Sequence, residues 1–494
     1  MVEHHRATRV SAALWALAGA LIAMYLVLFA MCAAGRLARP TDEFTYGESW
    51  LLDGARQVAR GAGLYAPADQ LPLMHIAYTP LYYIVVGALS YVVGDHGYTV
   101  GRAVSLMATL VGTAALAWSV KRLTCRWSVA ALGAGLFLTQ NLTALLWAPM
   151  HRVDPLALGF TLVGLALATT GRVSLGAGMF LLALATKQTF LVAPIAVAVA
   201  LWPCRARLVR FASIVAGGSI VGVAIAQWLT GGWVLWHTVT ANSNELDLDT
   251  FATLMGSFMQ FNGLPILAAL VSFVLPVRPG ERLWRLYFIG CLLTLPMIAK
   301  VGASSNYWLE LTAATSVLLA LASHRLAAWP ASRLVAPTAI AGSLLIAVPA
   351  YQATVVQAAE NLAEASRPTG PHYLSLIADR GAAPYRVDTA FVADIAREPG
   401  DLLTDNSGLA VAAGKRIAYE FQIFQLLNVE GYWSDRPILD AVAARRFSLV
   451  AVMHPLEGPA QGTRWTATLR DALTAAYKPA GTRAGFWLYR PRAD

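Results

Sequence analysis

Charged side chains are scarce in this chain of 494 residues, because Asp, Glu, Lys and Arg together make up only 13% of it. Soluble domains usually contain about 25% of these residues, so the scarcity excludes a soluble globular protein. Apolar residues make up 57% of the sequence and are gathered in long runs. This composition is typical of a polytopic membrane protein.

Cysteine is also scarce, and its four copies include no Cys-x-x-Cys pair and no histidine at a spacing suited to zinc. This pattern implies neither a disulfide framework nor a structural metal site. The formal net charge of +9 does not indicate a nucleic-acid-binding protein, because the basic residues are spread over short connectors between apolar runs. Such connectors are typical of cytoplasmic loops. The four cysteines are Cys32, Cys125, Cys204 and Cys291.

Twelve apolar runs are candidate membrane-spanning helices, and they start near residues 11, 76, 101, 128, 155, 173, 188, 211, 261, 285, 307 and 334. The first run, residues 11–34, is followed by no small-residue cleavage site, so we expect a retained helix and not a cleaved signal peptide. From about residue 353 onward the sequence contains more charge and proline. Strand-like runs at 416–418, 447–453 and 486–489 alternate there with helical runs at 437–445 and 464–477. The sequence therefore predicts a linker at 353–382 and a soluble α/β domain at 383–494.

The basic connectors predict the topology, because Lys and Arg accumulate on the cytoplasmic side and an even number of crossings must separate such connectors. Run 76–93 is then predicted not to cross, and residues 171–203 to form a hairpin of two short helices that turns at 186–188. The result is eleven crossings, a cytoplasmic N-terminus and an outer C-terminal domain. The basic connectors contain Arg6 and Arg9; Lys121, Arg122 and Arg126; Arg205, Arg207 and Arg210; Arg278, Arg282 and Arg285; and Arg325 and Arg333.

The first outer loop, residues 35–100, begins with the adjacent carboxylates Asp42 and Glu43. Two carboxylates at a membrane surface indicate proton-transfer chemistry, whereas the structural alternative is a solvated acidic turn. Residues 43–60 place their apolar side chains at near-helical spacing, which predicts an amphipathic interfacial helix that ends in the segment 61–65.

The predicted topology gathers further polar residues on the outer face. Four of them are cations close to apolar runs, where a charge is costly to hold, although snorkelling to the lipid headgroups is the alternative reading. The others have hydrogen-bonding side chains, for which structural roles are also open. The cations are Arg102, Arg152, Lys187 and Lys300, and the remaining residues are His151, Asp154, Asn306, Tyr307 and Glu310.

Short motifs follow one another in a distinctive order over residues 10–320. They are Asp-Glu after the first span, Gly-x-Gly-Leu-Tyr at 61–65, Thr-Pro-Leu-Tyr-Tyr at 79–83, Gly-Arg-Ala-Val-Ser at 101–105, Arg-Val-Asp-Pro at 152–155 and Thr-Lys at 186–187. In this order the chain resembles the GT-C glycosyltransferases, especially the protein O-mannosyltransferase and lipid A aminoarabinose transferase group.

The resemblance implies an all-α polytopic membrane bundle of about 11–12 transmembrane helices over residues 1–352, in a bacterial inner membrane, with a periplasmic C-terminal domain. It also implies inverting transfer of a sugar from a polyprenyl-phosphate donor to a glycan, lipid or protein acceptor. The position of Asp42 implies that it is the general base. Glu43 is then either an alternative base or a neighbour that raises the pKa of Asp42 by like-charge repulsion.

The remaining roles follow from the same resemblance. Arg102, Arg152, Lys187 and Lys300 bind the donor phosphate, because a lipid phosphate leaves as an anion and needs cations instead of a proton donor. Asp154 matches an acid that some relatives use in a metal-binding Asp-x-Asp pattern. Here no second acid follows it, so no metal or other cofactor is predicted, while a divalent ion stays open. The substrate-binding residues are His151, Asp154, Asn306, Tyr307 and Glu310.

Two other classes of protein fit part of the pattern. A secondary transporter or lipid flippase also has many Gly- and Pro-interrupted spans, and Asp42 would then be a coupling-ion site. The sequence contains no internal repeat of the kind usual in transporters, and the long first loop favours the enzyme. A non-catalytic membrane scaffold with an outer interaction domain is the third reading.

Overall fold

Apolar helices dominate the chain, as its composition predicts. The computed structural model describes residues 2–45, 47–139, 146–242, 244–329, 333–348, 372–374, 385–457 and 465–493. Within these ranges five helices are long and apolar enough to span a membrane, and six shorter apolar helices of 10–17 residues accompany them. The mostly helical, multi-span bundle with a mixed-sheet C-terminal region confirms the predicted fold class.

The helices are numbered in chain order. They are α1 (Val2–Leu37), α2 (Glu48–Ala59), α3 (Leu81–Val93), α4 (Tyr98–Thr124), α5 (Trp127–Thr139), α6 (Val153–Thr169), α7 (Val173–Thr186), α8 (Val192–Leu201), α9 (Arg205–Ala212), α10 (Gly218–Leu229), α11 (Trp233–Thr238), α12 (Leu248–Val274), α13 (Glu281–Leu293), α14 (Leu309–Leu326), α15 (Val335–Val348), α16 (Thr389–Arg397), α17 (Ser407–Ala412), α18 (Phe421–Val429), α19 (Arg436–Ala443) and α20 (Ala467–Ala476). The strands are β1 (His372–Leu374), β2 (Tyr385–Val387), β3 (Asp401–Thr404), β4 (Phe447–Val452), β5 (Tyr477–Arg483) and β6 (Phe486–Pro491).

Contacts between residues divide the chain into two units. The helical unit contains Met1–Ala38, Arg102–Gly222 and Asn244–Ala363. The mixed unit contains Arg39–Gly101, Val223–Ser243 and Glu364–Asp494. The first loop therefore belongs to the same unit as the C-terminal residues. Most of the predicted linker at 353–382 lies outside the described residues, and the domain boundaries stay a prediction.

Helix α14 lies at the centre of the helical unit, where every residue from 311 to 323 is buried. It packs against α5, α12 and α13. Small residues allow close helix contacts elsewhere in this unit. In a membrane, helix association depends on such close packing, because apolar side chains gain little by leaving lipid for a helix interface. At Gly159 of α6, for example, an added Cβ would lie 2.7 Å from the carbonyl oxygen of Ala108 on α4.

The predicted hairpin at 171–203 is confirmed. Helix α7 ends at Thr186, Lys187 has an extended backbone, and α8 begins at Val192. In run 76–93 only α3 is helical, and its 13 residues begin after Pro80. Such a helix is about 20 Å long, shorter than a hydrocarbon core of about 30 Å. Whether it crosses the membrane stays a prediction, as do the number of crossings and their orientation.

The mixed unit is built on a four-stranded sheet of order β3-β4-β6-β5, in which only β3 and β4 are parallel. Leu73 of the first loop joins its core and pairs with Tyr419 in an isolated parallel bridge. The predicted amphipathic helix is confirmed as α2, which begins at Glu48 and buries Leu51 and Ala55.

The sequence-based reading of the C-terminal region is partly correct. The strand-like runs at 447–453 and 486–489 overlap β4 and β6, and the helical runs at 437–445 and 464–477 overlap α19 and α20. The strand expected at 416–418 is wrong, because these residues form no ladder and only the adjacent Tyr419 makes a single bridge.

Candidate functional site

Three of the predicted site residues meet inside the helical unit. Asp154 lies in the first turn of α6, Lys187 follows the end of α7, and Asn306 precedes α14. Lys187 Nζ donates a hydrogen bond to Asp154 Oδ1 at 2.6 Å, and Asn306 Nδ2 donates to the same oxygen at 2.8 Å. All three side chains are buried. Three helix ends thus place an acid, a base and an amide in one cluster.

A second cation lies near this cluster. Burial lowers the pKa of Lys300, and the neighbouring ammonium of Lys187 lowers it further. Lys187 Nζ also lies 5.1 Å from the centre of the Tyr307 ring, within the range of a cation–π interaction. In the described part of the chain Asp154 Oδ2 has no hydrogen-bond partner. Two cations against one carboxylate favour an anion as the ligand of this region.

Arg152 and His151 precede Asp154 at the entry of α6. The Arg152 guanidinium carbon lies 4.9 Å from the centre of the Trp147 ring, and Arg152 interacts electrostatically with Asp154. Ser105 Oγ donates to the Arg152 carbonyl oxygen at 2.9 Å, which fixes this backbone segment. His151 is fully buried. The entry of α6 therefore adds a third cation to the same region.

Glu310 lies in the first turn of α14, where Tyr287 Oη donates to its Oε1 at 3.1 Å. Glu310 also interacts electrostatically with Lys187. Arg102 is fully buried on α4, and its Nη1 donates to the carbonyl oxygen of Arg36 at 2.9 Å, in the last turn of α1. Arg102 therefore caps the C-terminal end of α1.

The predicted catalytic pair lies in the mixed unit, and its two carboxylates have different surroundings. Asp42 is buried in an ion pair with Arg39 Nε. Glu43 Oε1 accepts a hydrogen bond from the backbone N–H of Ser49 at 3.0 Å, at the N-terminus of α2. Burial raises the pKa of Glu43 to about 7, against the lowering effect of the Ser49 hydrogen bonds. Among the described residues, Glu43 Oε2 has no hydrogen-bond partner.

Several residues of these sites were missed by sequence reasoning. Arg39 lies three residues before Asp42, a spacing at which an ion pair is a reasonable expectation. Tyr287 gave only the weak signal of a hydroxyl within an apolar run. The described residues contain no group of three or more His, Cys, Asp or Glu side chains placed to hold a metal ion.

The chain is similar in fold to a solved membrane glycosyltransferase. Among solved structures, this fold is seen in ArnT, the lipid A aminoarabinose transferase, from Cupriavidus metallidurans. The structure of ArnT bound to undecaprenyl phosphate matches with a TM-score of 0.61 and 11% identity, over 95% of this chain and 97% of that chain. Its apo structure matches with a TM-score of 0.60 and 12% identity, over 95% and 96%.

No protein-family model matches this chain, and no curated protein sequence does. At identities of 11% and 12% the likeness to ArnT concerns the fold. The resemblance derived from the motifs is confirmed at that level.

Proposed function

We propose that the protein is an integral membrane glycosyltransferase that moves a sugar from a polyprenyl-phosphate donor to an acceptor, with inversion at the anomeric carbon. The observation that carries this proposal is the buried Lys187–Asp154 pair, with Lys300 in electrostatic range, in a fold shared with ArnT. ArnT has been solved with undecaprenyl phosphate, a lipid phosphate that needs cationic partners.

In the donor half of the reaction, the bond between the anomeric carbon and the phosphate oxygen breaks. The lipid phosphate leaves with the bonding electrons and gains negative charge, which Lys187, Lys300 and Arg152 neutralise. Asp154 and Asn306 assist indirectly: Asp154 holds the Lys187 ammonium by a hydrogen bond, and Asn306 holds the Asp154 carboxylate. Arg102 is the fourth cation assigned to the phosphate.

In the acceptor half, a hydroxyl oxygen attacks the anomeric carbon while its proton moves to a carboxylate. Asp42 is the proposed general base, and Arg39 supplies its counter-charge. Glu43 is the alternative base, because its raised pKa of about 7 suits a group that accepts a proton near neutral pH. The sugar hydroxyls are proposed to bind His151, Asn306, Tyr307 and Glu310.

The proposed location is the bacterial inner membrane, with a cytoplasmic N-terminus and the mixed-sheet residues of the C-terminal domain in the periplasm. The donor is then used on the outer face, where a glycan, lipid or protein of the cell envelope is the acceptor. Cysteines introduced at residues 246 and 303, where the side chains are accessible, test the orientation. We expect both to react with an impermeant thiol reagent from outside, and reaction from the cytoplasmic side alone would contradict the proposed topology.

The activity is tested by comparing glycan and lipid profiles of a deletion strain that expresses wild-type protein, Asp42→Asn or Glu43→Gln. We expect Asp42→Asn to lose the transferred sugar and Asp95→Asn, a change of an exposed acid in the same loop, to retain it. Full restoration by Asp42→Asn with loss in Glu43→Gln would move the base to Glu43. A transporter would form no glycosidic bond, so mass-spectrometric detection of the sugar–acceptor linkage separates the two classes.

A further inference from the structure

A cleft of about 560 Å³ opens in the mixed unit, and none of its lining residues belongs to the predicted site. Its walls come from the first loop, from α11, from α19 and from the segment that precedes α19. Its lining contains both aromatic rings and polar side chains. The lining residues are Ala68, Asp69, Trp233, Trp236, Tyr432, Trp433, Ser434, Arg436, Pro437 and Asp440.

The aromatic rings of the cleft are held in fixed orientations. Trp433 Nε1 donates to the Ala68 carbonyl oxygen at 2.7 Å, and its ring meets Phe424 edge to face with 4.8 Å between centres. Trp233 and Trp236 pack edge to face at 5.6 Å. Both rings and that of Trp433 remain partly accessible. Rigid, accessible rings bind ligands with little loss of side-chain entropy.

The polar groups of the cleft select the class of ligand. Asp69, Ser434 and Asp440 are exposed, and Arg436 Nε lies 3.6 Å from Asp440 Oδ2. Carboxylates accept hydrogen bonds from hydroxyl and amine groups. With two carboxylates and one guanidinium, the lining disfavours a phosphate or another anion.

A sugar ring matches this combination. Its C–H groups form apolar faces that pack on the electron-rich faces of aromatic rings, while its hydroxyls point outward to hydrogen-bonding groups. An acyl chain or an apolar peptide would offer no hydrogen bond to the exposed polar groups of Asp69 and Ser434. We propose that the cleft is a saccharide-binding site that prefers neutral or amino sugars to anionic ones. This proposal does not depend on the transferase activity proposed above.

The test uses the full-length protein in detergent and in lipid nanodiscs, with chitotriose, cellotriose and the anionic trisaccharide trigalacturonic acid as probes. Saturation-transfer NMR identifies the protons that touch the protein, and a titration gives the affinity. We expect chitotriose and cellotriose to bind through their C–H faces and trigalacturonic acid to bind more weakly. Tyr432→Ala and Asp69→Asn should each weaken binding of chitotriose and cellotriose about tenfold, the effect of losing one good contact.

The matched control is Trp487→Ala, because Trp487 is 40% exposed in the same unit and does not line the cleft, whereas Tyr432 is 56% exposed. Trp487→Ala should bind sugar like the wild type, and elution volume and melting temperature verify that each variant is folded. Absence of saccharide binding by the wild type would overturn the proposal, as would equal binding by a folded Tyr432→Ala variant. Binding in detergent that disappears in nanodiscs would also overturn it, because lipid would then occupy the cleft.

Discussion

Lys187 Nζ lies 2.6 Å from Asp154 Oδ1, and both side chains are buried within the helical unit. The pair ties the end of α7 to the beginning of α6. Removing one member of a buried ion pair leaves an uncompensated charge and typically costs about 3–5 kcal/mol, whereas replacing both members with apolar groups is often neutral. This difference separates the structural contribution of the pair from its proposed function in binding the donor phosphate.

The first prediction concerns this pair. We expect Lys187→Met to lower the melting temperature strongly, because Asp154 loses its counter-charge. The double variant Lys187→Met/Asp154→Leu should recover part of the loss, because Asn306 then lacks its acceptor. The double variant should still transfer sugar much more slowly than the wild type, since one of the four cations assigned to the leaving phosphate is gone. Thermal unfolding in detergent and a sugar-transfer assay on the same preparations measure the two effects.

The control for that experiment is Arg397→Met, which breaks an exposed pair with Asp394. Exposed pairs contribute about 0–1 kcal/mol, so its melting temperature should stay close to that of the wild type. Sugar transfer at the wild-type rate by the double variant would show that Lys187 has a structural function only.

The second prediction follows from the raised pKa of Glu43. The folded protein holds this proton up to about pH 7, whereas the unfolded chain releases it near 4.5. The contribution of Glu43 to the free energy of unfolding is therefore fully present below pH 4.5 and is lost as the pH rises to 7. A pKa shift of this size corresponds to about 3 kcal/mol. Glu43→Gln should remove this decrease. Melting temperatures at pH 5 and pH 8 measure it, with Glu245→Gln at an exposed position as the control; an unchanged slope in Glu43→Gln would refute the assignment.

The third prediction concerns His237, whose pH dependence has the opposite sign. Burial lowers the pKa of His237 to about 4 from 6.5. The neutral ring fits its site, because Nδ1 lies 3.2 Å from the Ile76 backbone nitrogen, whose N–H it accepts, and Nε2 lies 2.8 Å from the Ala66 carbonyl oxygen. The contribution of His237 to the free energy of unfolding is therefore fully present above pH 6.5. It is lost as the pH falls to 4, and it amounts to about 3 kcal/mol.

The matched variants are His237→Gln, which keeps a donor and an acceptor but does not titrate, and His96→Gln at an exposed position. We expect the acid-induced loss of stability to be smaller in His237→Gln and unchanged in His96→Gln. A denaturant titration at pH 7 and pH 5, followed by intrinsic fluorescence, gives the difference. Equal acid sensitivity of the wild type and His237→Gln would show that another group causes the loss.

Local sequence patterns predicted the helices well, because a helix depends on the spacing of apolar residues within one segment. The turn at Lys187 followed from the balance of basic connectors, and α2 followed from its apolar periodicity. The strand expected at 416–418 rested on three residues, too few for an alternating pattern to outweigh tertiary contacts.

Contacts between distant segments were beyond local patterns. The hydrogen bond from Tyr287 to Glu310 joins two separate helices, and the bridge between Leu73 and Tyr419 joins the first loop to the C-terminal residues. The difference between Asp42 and Glu43 is of the same kind. Adjacent residues in sequence acquire different environments because one carboxylate meets Arg39 and the other is buried at the N-terminus of α2.

The fourth prediction tests whether helix packing supports the buried cluster. A Cβ at position 159 would lie 2.7 Å from the carbonyl oxygen of Ala108, a backbone atom that cannot rotate away. Gly159→Ala must therefore push α6 away from α4, and overpacking of this kind typically costs about 1–3 kcal/mol. Because Asp154 lies on α6, we expect sugar transfer to fall together with the melting temperature.

Gly178→Ala on α7 is the matched control, since nothing lies within 4 Å of a Cβ at that position. Alanine favours a helix over glycine by about 1 kcal/mol, so this variant should be as stable as the wild type or more stable. Equal melting temperatures of Gly159→Ala and Gly178→Ala would mean that α4 and α6 are not in close contact. A stable Gly159→Ala variant with impaired transfer would instead mean that the position of Asp154, and not the stability of the bundle, limits the reaction.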